Sequence, residues 1–375
     1  MELSELREQI DEVDAQIVAL YEKRMKICAS VAEYKIGAGK SVLDRGREAA
    51  KIQAVKNLLK DPSNARGIEE LYQLLMSNSR KLQYKLMTDA GTNGKLPFIE
   101  IDSIRKEGVR VCYQGAEGSY SQAAMIDFFG EGVNNFSVKT FRDAMIAIEE
   151  GTADYAVLPI ENSTAGVVSE IYDLLAEFEN YIVAEQITKV EHCLLATEGT
   201  DISTIKRVYS HPQSLSQSAR FLEEHADWEQ FPMKNNAFAA KKVADEKDPA
   251  QAAVAGAYAA KVYGLDILER GINMDHNNST RFIIITNQKV YQKGADKISI
   301  CFEIHHESGS LYHILSHFIF NDLNMTKIES RPIEDHSWEY RFFVDFEGNL
   351  SDASVKNALR GIREEAANLR VLGNY

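Results

Sequence analysis

The sequence predicts three successive folds: an all-helical segment, a two-lobed α/β domain and a small α+β domain. Three observations carry this reading. From Leu3 the apolar residues recur at Leu6, Ile10, Val13, Ile17 and Leu20, then at Ile27 and Val31, in steps of three and four. That is the period of a helix with one apolar seam. From Val109 to Ile285 short apolar runs alternate with helical patterns, which implies strand–helix units and parallel sheets. From Ile298 the order becomes strand, helix, strand, strand, helix, strand.

A length of 375 residues suits two or three domains. No apolar run reaches membrane-spanning length, and Met1-Glu2-Leu3-Ser4-Glu5 lacks the apolar core of a signal peptide, so a cytoplasmic protein without a membrane partner is expected. Cys28, Cys112, Cys193 and Cys301 form no ligand-spaced pair and read as small core residues in a reducing compartment, without disulfide or metal. The net charge of −14 argues against nucleic acid as a partner. Residues 1–87 carry 15 Lys and Arg against 13 Asp and Glu, while the remainder carries 27 against 43. This contrast suggests a separate N-terminal module suited to anions.

The first helix exceeds 30 residues and needs a partner for its seam. Arg24 occupies the seam position after Leu20. A seam arginine is costly unless an anion meets it, so it marks either a buried ion pair, the simpler reading, or an anion site. Lys35 follows eleven residues later on the same face. Gly37-Ala38-Gly39 ends the helix, a second begins near Asp44-Arg45-Gly46-Arg47-Glu48, and a third covers Ile68 to Leu86, with Ser79 and Gln83 sharing a face. Arg7 lies 17 residues before Arg24, roughly 25 Å along a straight helix. Only an antiparallel helix from a second subunit would bring an Arg7 to the Arg24–Lys35 zone, so a homodimer or higher homo-oligomer is expected.

Leu6-Arg7-Glu8, Arg24, Lys35, Asp44, Arg47-Glu48, Ser79 and Gln83 in this order resemble the all-helical chorismate mutases over residues 1–87. The resemblance implies rearrangement of chorismate to prephenate, a pericyclic step that needs no cofactor, nucleophile or metal. It needs a folded substrate and charge stabilisation at the ether oxygen. By resemblance Arg7 of a partner subunit, Arg24 and Arg47 bind carboxylates, and Lys35 and Gln83 hydrogen-bond the ether oxygen. Glu48 and the Asp44 region hold the hydroxyl, and Ser79 supports a carboxylate.

Residues 88–108, with Thr88-Asp89-Ala90-Gly91-Thr92-Asn93-Gly94, read as a linker. Beyond it, two crossings between sets of strand–helix units, at Tyr181–Ala196 and Leu265–Gly271, imply two lobes around a cleft within residues 109–286. Polar clusters stand where strands end: Gly115–Ser121, Glu161–Thr164, Ser210–Gln213 and Asn278–Arg281. In open α/β sheets such ends form the binding crevice. The Gly-x-x-Gly turn lacks a nucleotide fingerprint, although its helix N-terminus suits a carboxylate. The simpler reading makes Ser121, Ser163 and Ser214 helix caps.

Gly-x-x-Gly-Ser-Tyr-Ser, Pro-Ile-Glu-Asn-Ser, Ser-His-Pro-Gln and Ser-Thr-Arg-Phe together resemble prephenate dehydratases, which have a two-lobed fold like that of periplasmic binding proteins. The resemblance implies loss of CO2 and a ring hydroxyl from prephenate to give phenylpyruvate. Thr280 then serves as proton donor to the leaving hydroxyl, Asn162, Ser210 and Gln217 as polar contacts, and Arg281 as partner of a carboxylate. Phe282 reads as core, and His211 as structural.

The βαββαβ order over residues 297–375 is the ferredoxin-like split unit. Gly309-Ser310-Leu311 and Glu329-Ser330-Arg331-Pro332 resemble the phenylalanine-responsive ACT domains, whose ligand lies near the first loop and Asn324. Ser308 and Ser310 depart from the proline and alanine common there. The resemblance implies feedback regulation by L-phenylalanine. Three motif sets in one order point to bifunctional chorismate mutase/prephenate dehydratases. Dehydration of arogenate, or solute capture without catalysis, are the alternatives.

Overall fold

The structure, a computed structural model, describes residues 2–91, 97–304, 306–333 and 336–375, with side chains omitted for 336–338. It separates into two compact units, residues 1–97 with 296–371 and residues 98–295 with 372–375. Among the described residues no helix is long and apolar enough to cross a membrane.

The first unit opens with α1 (Leu3–Ala38), α2 (Arg45–Lys56) and α3 (Ala65–Asp89). A capping box of Glu2 and Glu5 starts α1, and Gly39 at φ +62° ends it, in the left-handed region where a side chain is disfavoured. Leu3, Ile10, Val13, Ile17, Leu20 and Ile27 are each more than half exposed, so the predicted seam lies bare within one chain. Toward the end of α1 the packing recovers, where Ile36 meets Val42, Tyr84 and Met87.

The second unit carries β1 (Ile99–Ile101), β2 (Arg110–Gln114), α4 (Tyr120–Phe129), β3 (Asn134–Val138), α5 (Phe141–Glu149), β4 (Tyr155–Asn162), β5 (Gly166–Val167), α6 (Ser169–Glu177) and β6 (Tyr181–Lys189). There follow β7 (His192–Ala196), β8 (Arg207–Ser210), α7 (Pro212–Gln217), α8 (Ala219–Glu223), β9 (Glu229–Pro232), α9 (Asn236–Glu246), β10 (Gln251–Gly256), α10 (Ala257–Tyr263), β11 (Asp266–Glu269), β12 (Ser279–Thr286) and β13 (Val290–Gln292). Strands β6-β12-β4-β2-β3 form the sheet of one lobe and β11-β7-β10-β8-β9 that of the other. The chain crosses between them after β6 and again after β11.

Three expectations change here. The sheets are mixed: β2 is parallel to β3 and β4, but β12 is antiparallel to β4 and β6, and β7 to β10 and β11. Strands that enter from the other lobe arrive without a crossover helix, and so run against their neighbours. Within the segment read as a linker, α3 continues to Asp89, residues 92–96 lie outside the described residues, and Ile99–Ile101 form a strand parallel to β13. The cap of α4 is Ser119, whose Oγ accepts from Gln122 N, not Ser121. His211 caps α7 in place of Ser214, and Ser163 Oγ accepts from Ser279 N across two strand ends.

Returning to the first unit, β14 (Lys297–Glu303), α11 (Ser310–Phe320), β15 (Met325–Ile333), β16 (His336–Glu347), α12 (Ala353–Glu365) and β17 (Ala367–Asn374) follow the predicted βαββαβ order. The strands line up as β15-β16-β14-β17. Ile300, Phe302, Phe318, Phe346, Leu359 and Ile362 are fully buried or nearly so. Alternating strand residues and a helix stripe of period 3.6 supply this core.

Candidate active sites

In the helical segment, Arg24 reaches from α1 to α3, where its guanidinium donates to Leu75 O (2.9 Å) and to Ser79 Oγ. The seam arginine thus meets a carbonyl and a hydroxyl instead of a carboxylate. Ser79 Oγ in turn donates to Leu75 O at 2.6 Å. Lys35 Nζ donates to Val42 O at 2.7 Å, and burial with the nearby Arg47 guanidinium holds its pKa below the ordinary lysine value. Asp44 caps α2 by accepting from Arg47 N. Gln83 is buried; its Nε2 donates to Ser79 O (3.2 Å), and its Oε1 has no partner among the described residues. Arg24, Ser79 and Gln83 therefore gather on one side of α3. Arg7 and Arg47 are exposed.

Glu48 meets a residue that the motif reading passed over. Both its carboxylate oxygens lie 2.6 Å from Arg80 Nη1, and Arg80 Nε donates to Glu365 on α12 at 2.9 Å. Glu365 also stands 3.3 Å from His317 Nε2. Although buried, Glu365 has its pKa drawn down to about 2 by the His317 and Arg80 partners. Arg80 sits on the buried face of α3 beside Ser79 and Gln83. A cation among apolar face positions, the cue that flagged Arg24, was the signal available in the sequence.

In the two-lobed unit the start of β12 is clamped to the end of β4. Thr280 pairs with Asn162 on one side and Thr188 on the other. Asn162 Nδ2 donates to Asn278 Oδ1 (2.7 Å) and Thr280 Oγ1 (2.9 Å). Its Oδ1 accepts from Thr164 Oγ1 (2.8 Å), Thr164 N (3.1 Å) and Ala165 N (2.9 Å). Gln217, on α7 of the other lobe, donates from Nε2 to Thr164 Oγ1 at 3.0 Å. Sequence-predicted Asn162, Gln217 and Thr280 are thus joined in one network. Asn162 has the acceptor side of the Thr280 hydroxyl, and among the described residues that hydroxyl donates to none. Its proton is left for a group entering the cleft.

Two predicted contacts have other occupations. Ser210 is fully buried and its hydroxyl donates to Val254 O at 2.6 Å, tying β8 to β10. Arg281 pairs with Glu161 and Glu185, each at 3.4 Å, so the protein supplies the carboxylates expected from a ligand. Both outcomes follow from position. A side chain inside a paired strand is satisfied by its neighbours before it can reach a cleft.

Between the lobes, a cavity of about 230 Å3 is lined by Gly118, Ser119 and Tyr120 from one lobe, Gly256 and Tyr258 from the other, and Thr188 between. Two glycines allow the lobes this close. A Cβ at Gly256 would stand 2.9 Å from the Tyr120 ring, and one at Gly118 (φ +78°) 3.1 Å from Ala259 Cα.

In the βαββαβ segment, Gly309 (φ +86°), Ser310 and Leu311 line a cavity of about 190 Å3 with Tyr312, Tyr340 and Phe342. Glu329-Ser330-Arg331-Pro332 lies on β15, with Ser330 and Pro332 paired to Phe342 and Tyr340. Asn324 is exposed at the start of β15, where its carbonyl accepts from Glu347 N.

Comparison with known proteins places these features in a lineage. Residues 6–84 match the family model for chorismate mutase type II, and residues 111–290 that for prephenate dehydratase. Over 376 residues the chain is 31% identical to the bifunctional chorismate mutase/prephenate dehydratase of Escherichia coli K12, covering 99% of this chain and 95% of that one. A prephenate dehydratase from Arthrobacter aurescens, solved in complex with L-Phe, superposes with a TM-score of 0.66 at 28% identity over 71% of this chain and 89% of that one. GqqA, described as a quorum-quenching acylase, superposes with a TM-score of 0.64 at 29% identity over 70% of this chain and 96% of that one. With its helical segment, its two-lobed unit and full-length identity to such a relative, the chain belongs to the family of bifunctional chorismate mutase/prephenate dehydratases.

Proposed function

We propose that the chain catalyses two consecutive steps, rearrangement of chorismate to prephenate in the helical segment and conversion of prephenate to phenylpyruvate in the two-lobed unit. The observation that carries this reading is the Asn162–Thr280 contact. Asn162 donates to Thr280 Oγ1 at 2.9 Å, which leaves the threonine proton for a departing hydroxyl. In the second step the ring C–CO2 bond breaks, its electron pair aromatises the ring, and the C–O bond breaks as Thr280 protonates the hydroxyl to give water, a solvent proton then restoring the Thr280 hydroxyl. An alcohol is a weak acid, so proton transfer and C–O cleavage are concerted. The shared architecture of GqqA means that fold alone does not select this chemistry; the polar network and the full-length family relationship do.

For the first step, Arg24, Ser79, Gln83 and Lys35 supply one chain's half of an anion-binding pocket, and Arg7 of a partner subunit completes it. Support for a homodimer comes from the bare seam of α1, six of whose eight large aliphatic residues are more than half exposed. The 190 Å3 cavity at Gly309–Leu311 suits a small amino acid, and the L-Phe complex of the Arthrobacter relative supports phenylalanine as effector. Four separate free thiols fit a reducing, cytoplasmic setting.

The test is an assay of the purified chain with chorismate, following prephenate and phenylpyruvate separately, with and without L-phenylalanine. Formation of both products is expected. Absence of both would overturn the reading. Arogenate offered in place of prephenate tests the aminated alternative directly.

A further inference from the structure

Behind Gln217 stands a buried histidine that the reaction outlined above does not use. His192, at the start of β7, is 1% exposed, and burial holds its pKa below the ordinary histidine value. Its Nε2 lies 3.0 Å from Gln217 Oε1 and its Nδ1 lies 2.9 Å from the Tyr120 hydroxyl. The backbone is pinned as firmly, since His192 N donates to Asn273 Oδ1 at 3.0 Å. Tyr120, from the opposite lobe, packs against Gly256 and also donates to Glu191 O at 2.8 Å.

The proton positions in this string are linked. Gln217 Nε2 is committed to Thr164 Oγ1, so Gln217 Oε1 faces the imidazole and must accept. The His192 proton therefore sits on Nε2. Nδ1 is left as an acceptor, and the Tyr120 hydroxyl is shared between it and Glu191 O. With Gln217 held this way round, Thr164 Oγ1 accepts a hydrogen bond from Gln217 and donates its own to Asn162 Oδ1. Asn162 then donates to Thr280 Oγ1. Reverse the Gln217 amide, and Thr164 Oγ1 would have to donate to Gln217 instead, leaving Asn162 Oδ1 to the backbone N–H groups of Thr164 and Ala165.

We propose that His192 is a positioning residue for the dehydration step: it fixes which way round the Gln217 carboxamide stands, and with it the Gln217–Thr164 bond that joins the two lobes beside Thr280. This rests on the dehydratase reading of the two-lobed unit. His192 touches no reacting atom. It sets the orientation of a cleft side chain, across two lobes that His192, Gln217 and Tyr120 join.

The experiment compares His192→Gln with His192→Met in the full chain. Both fill similar volume, but only glutamine retains an N–H donor near the position of Nε2. Prephenate turnover is measured as kcat and KM, chorismate rearrangement serves as the control for an intact chain, and melting temperature reports folding. Misorientation of a catalytic group costs on the order of 10- to 100-fold in rate. His192→Met should lower dehydratase kcat by about that factor, with KM within about twofold, while His192→Gln stays within about threefold of the parent. Adding His192→Met to Gln217→Ala should cost nothing further, because both remove the same link.

Equal losses in the two His192 variants, or additive losses with Gln217→Ala, would show that the imidazole only fills space and would overturn the proposal. A parent chain that makes no phenylpyruvate would instead overturn the dehydratase reading. Should a His192 variant fail to fold, exposed Thr164 reads the same string one bond nearer Thr280. There Thr164→Ser should keep kcat and Thr164→Val should lose it, and equal behaviour of that pair would overturn the proposal.

Discussion

Thr280 shows how little of a side chain's chemistry lies in its own identity. Its hydroxyl is almost buried and receives a hydrogen bond from Asn162, so it can only give its proton outward. Thr280→Val keeps the shape and removes that proton. Dehydratase kcat should fall by at least about 100-fold, a typical general-acid contribution, while prephenate formation from chorismate is unchanged. Loss of both activities together would contradict two separate sites. Lys81 illustrates the opposite case, a charge placed where it gains little. It is 3% exposed, and burial lowers its pKa to about 8, against partial compensation from Glu365. A lysine whose folded pKa lies below its unfolded value binds fewer protons when folded, so stability rises with pH between about 8 and 10.5. Lys81→Met should therefore be more stable than the parent below pH 8, with the advantage shrinking as pH climbs through that window. Urea midpoints at a series of pH values would read it, and a pH-independent difference would contradict the burial argument.

At the scale of elements, α1 is the one whose sequence and surroundings disagree. A helix of 36 residues with apolar positions three and four apart is built to be covered, yet Leu3, Ile10, Val13, Ile17, Leu20 and Ile27 face solvent in the single chain. Replacing two of them by lysine, Ile10→Lys with Ile17→Lys, places charges where a second α1 would pack. On the proposed pairing of α1 with a second copy, dissociation to monomers in sedimentation is expected, with chorismate rearrangement lost because Arg7 of the partner would no longer arrive. Dehydratase activity should survive, since its network lies within residues 120–280. The contact of α3 with α12 makes the same point from a buried side. Glu48, on the second helix, and Glu365, on the last, are held by one guanidinium. A buried arginine between two carboxylates is costly to lose, because Glu48 would be left without its cation and Glu365 with His317 alone.

For the molecule as a whole, the consequence to test is linkage between amino-acid binding and the two-lobed chemistry. A ligand that binds only the folded chain stabilises it by RT ln(1 + [L]/Kd), about 2.7 kcal/mol at a hundredfold excess over Kd. Saturating L-phenylalanine should raise the melting temperature by several degrees and lower the rate of phenylpyruvate formation. Ser310→Ala, which removes the hydroxyl from the cavity lining, should alter the concentration needed. No change in either quantity would remove the sensor reading while leaving both catalytic readings in place.

Much of this was written locally. Periodicities of 3.6 and 2 are set by neighbours in sequence, so α1, the strand–helix units and the βαββαβ order could be read before any fold was seen. Thr280 and Asn162 could be picked out because they stand in short motifs at strand ends, and Gln217 through the family resemblance. Pairing could not be read in this way. Ser210 meets Val254, Arg281 meets Glu161 and Glu185, Arg80 joins Glu48 to Glu365, and His192 stands between Tyr120 and Gln217. These partners are 25 to 285 residues apart, from His192 and Gln217 to Arg80 and Glu365. A hydrogen bond depends on where two atoms finish in space, and a stretch such as Val190-Glu191-His192-Cys193-Leu194 carries no mark of it. The sequence by itself determined which groups the protein has to work with; the tertiary structure decided which of them are free to act, because each buried polar atom must first be satisfied by whatever the fold brings beside it.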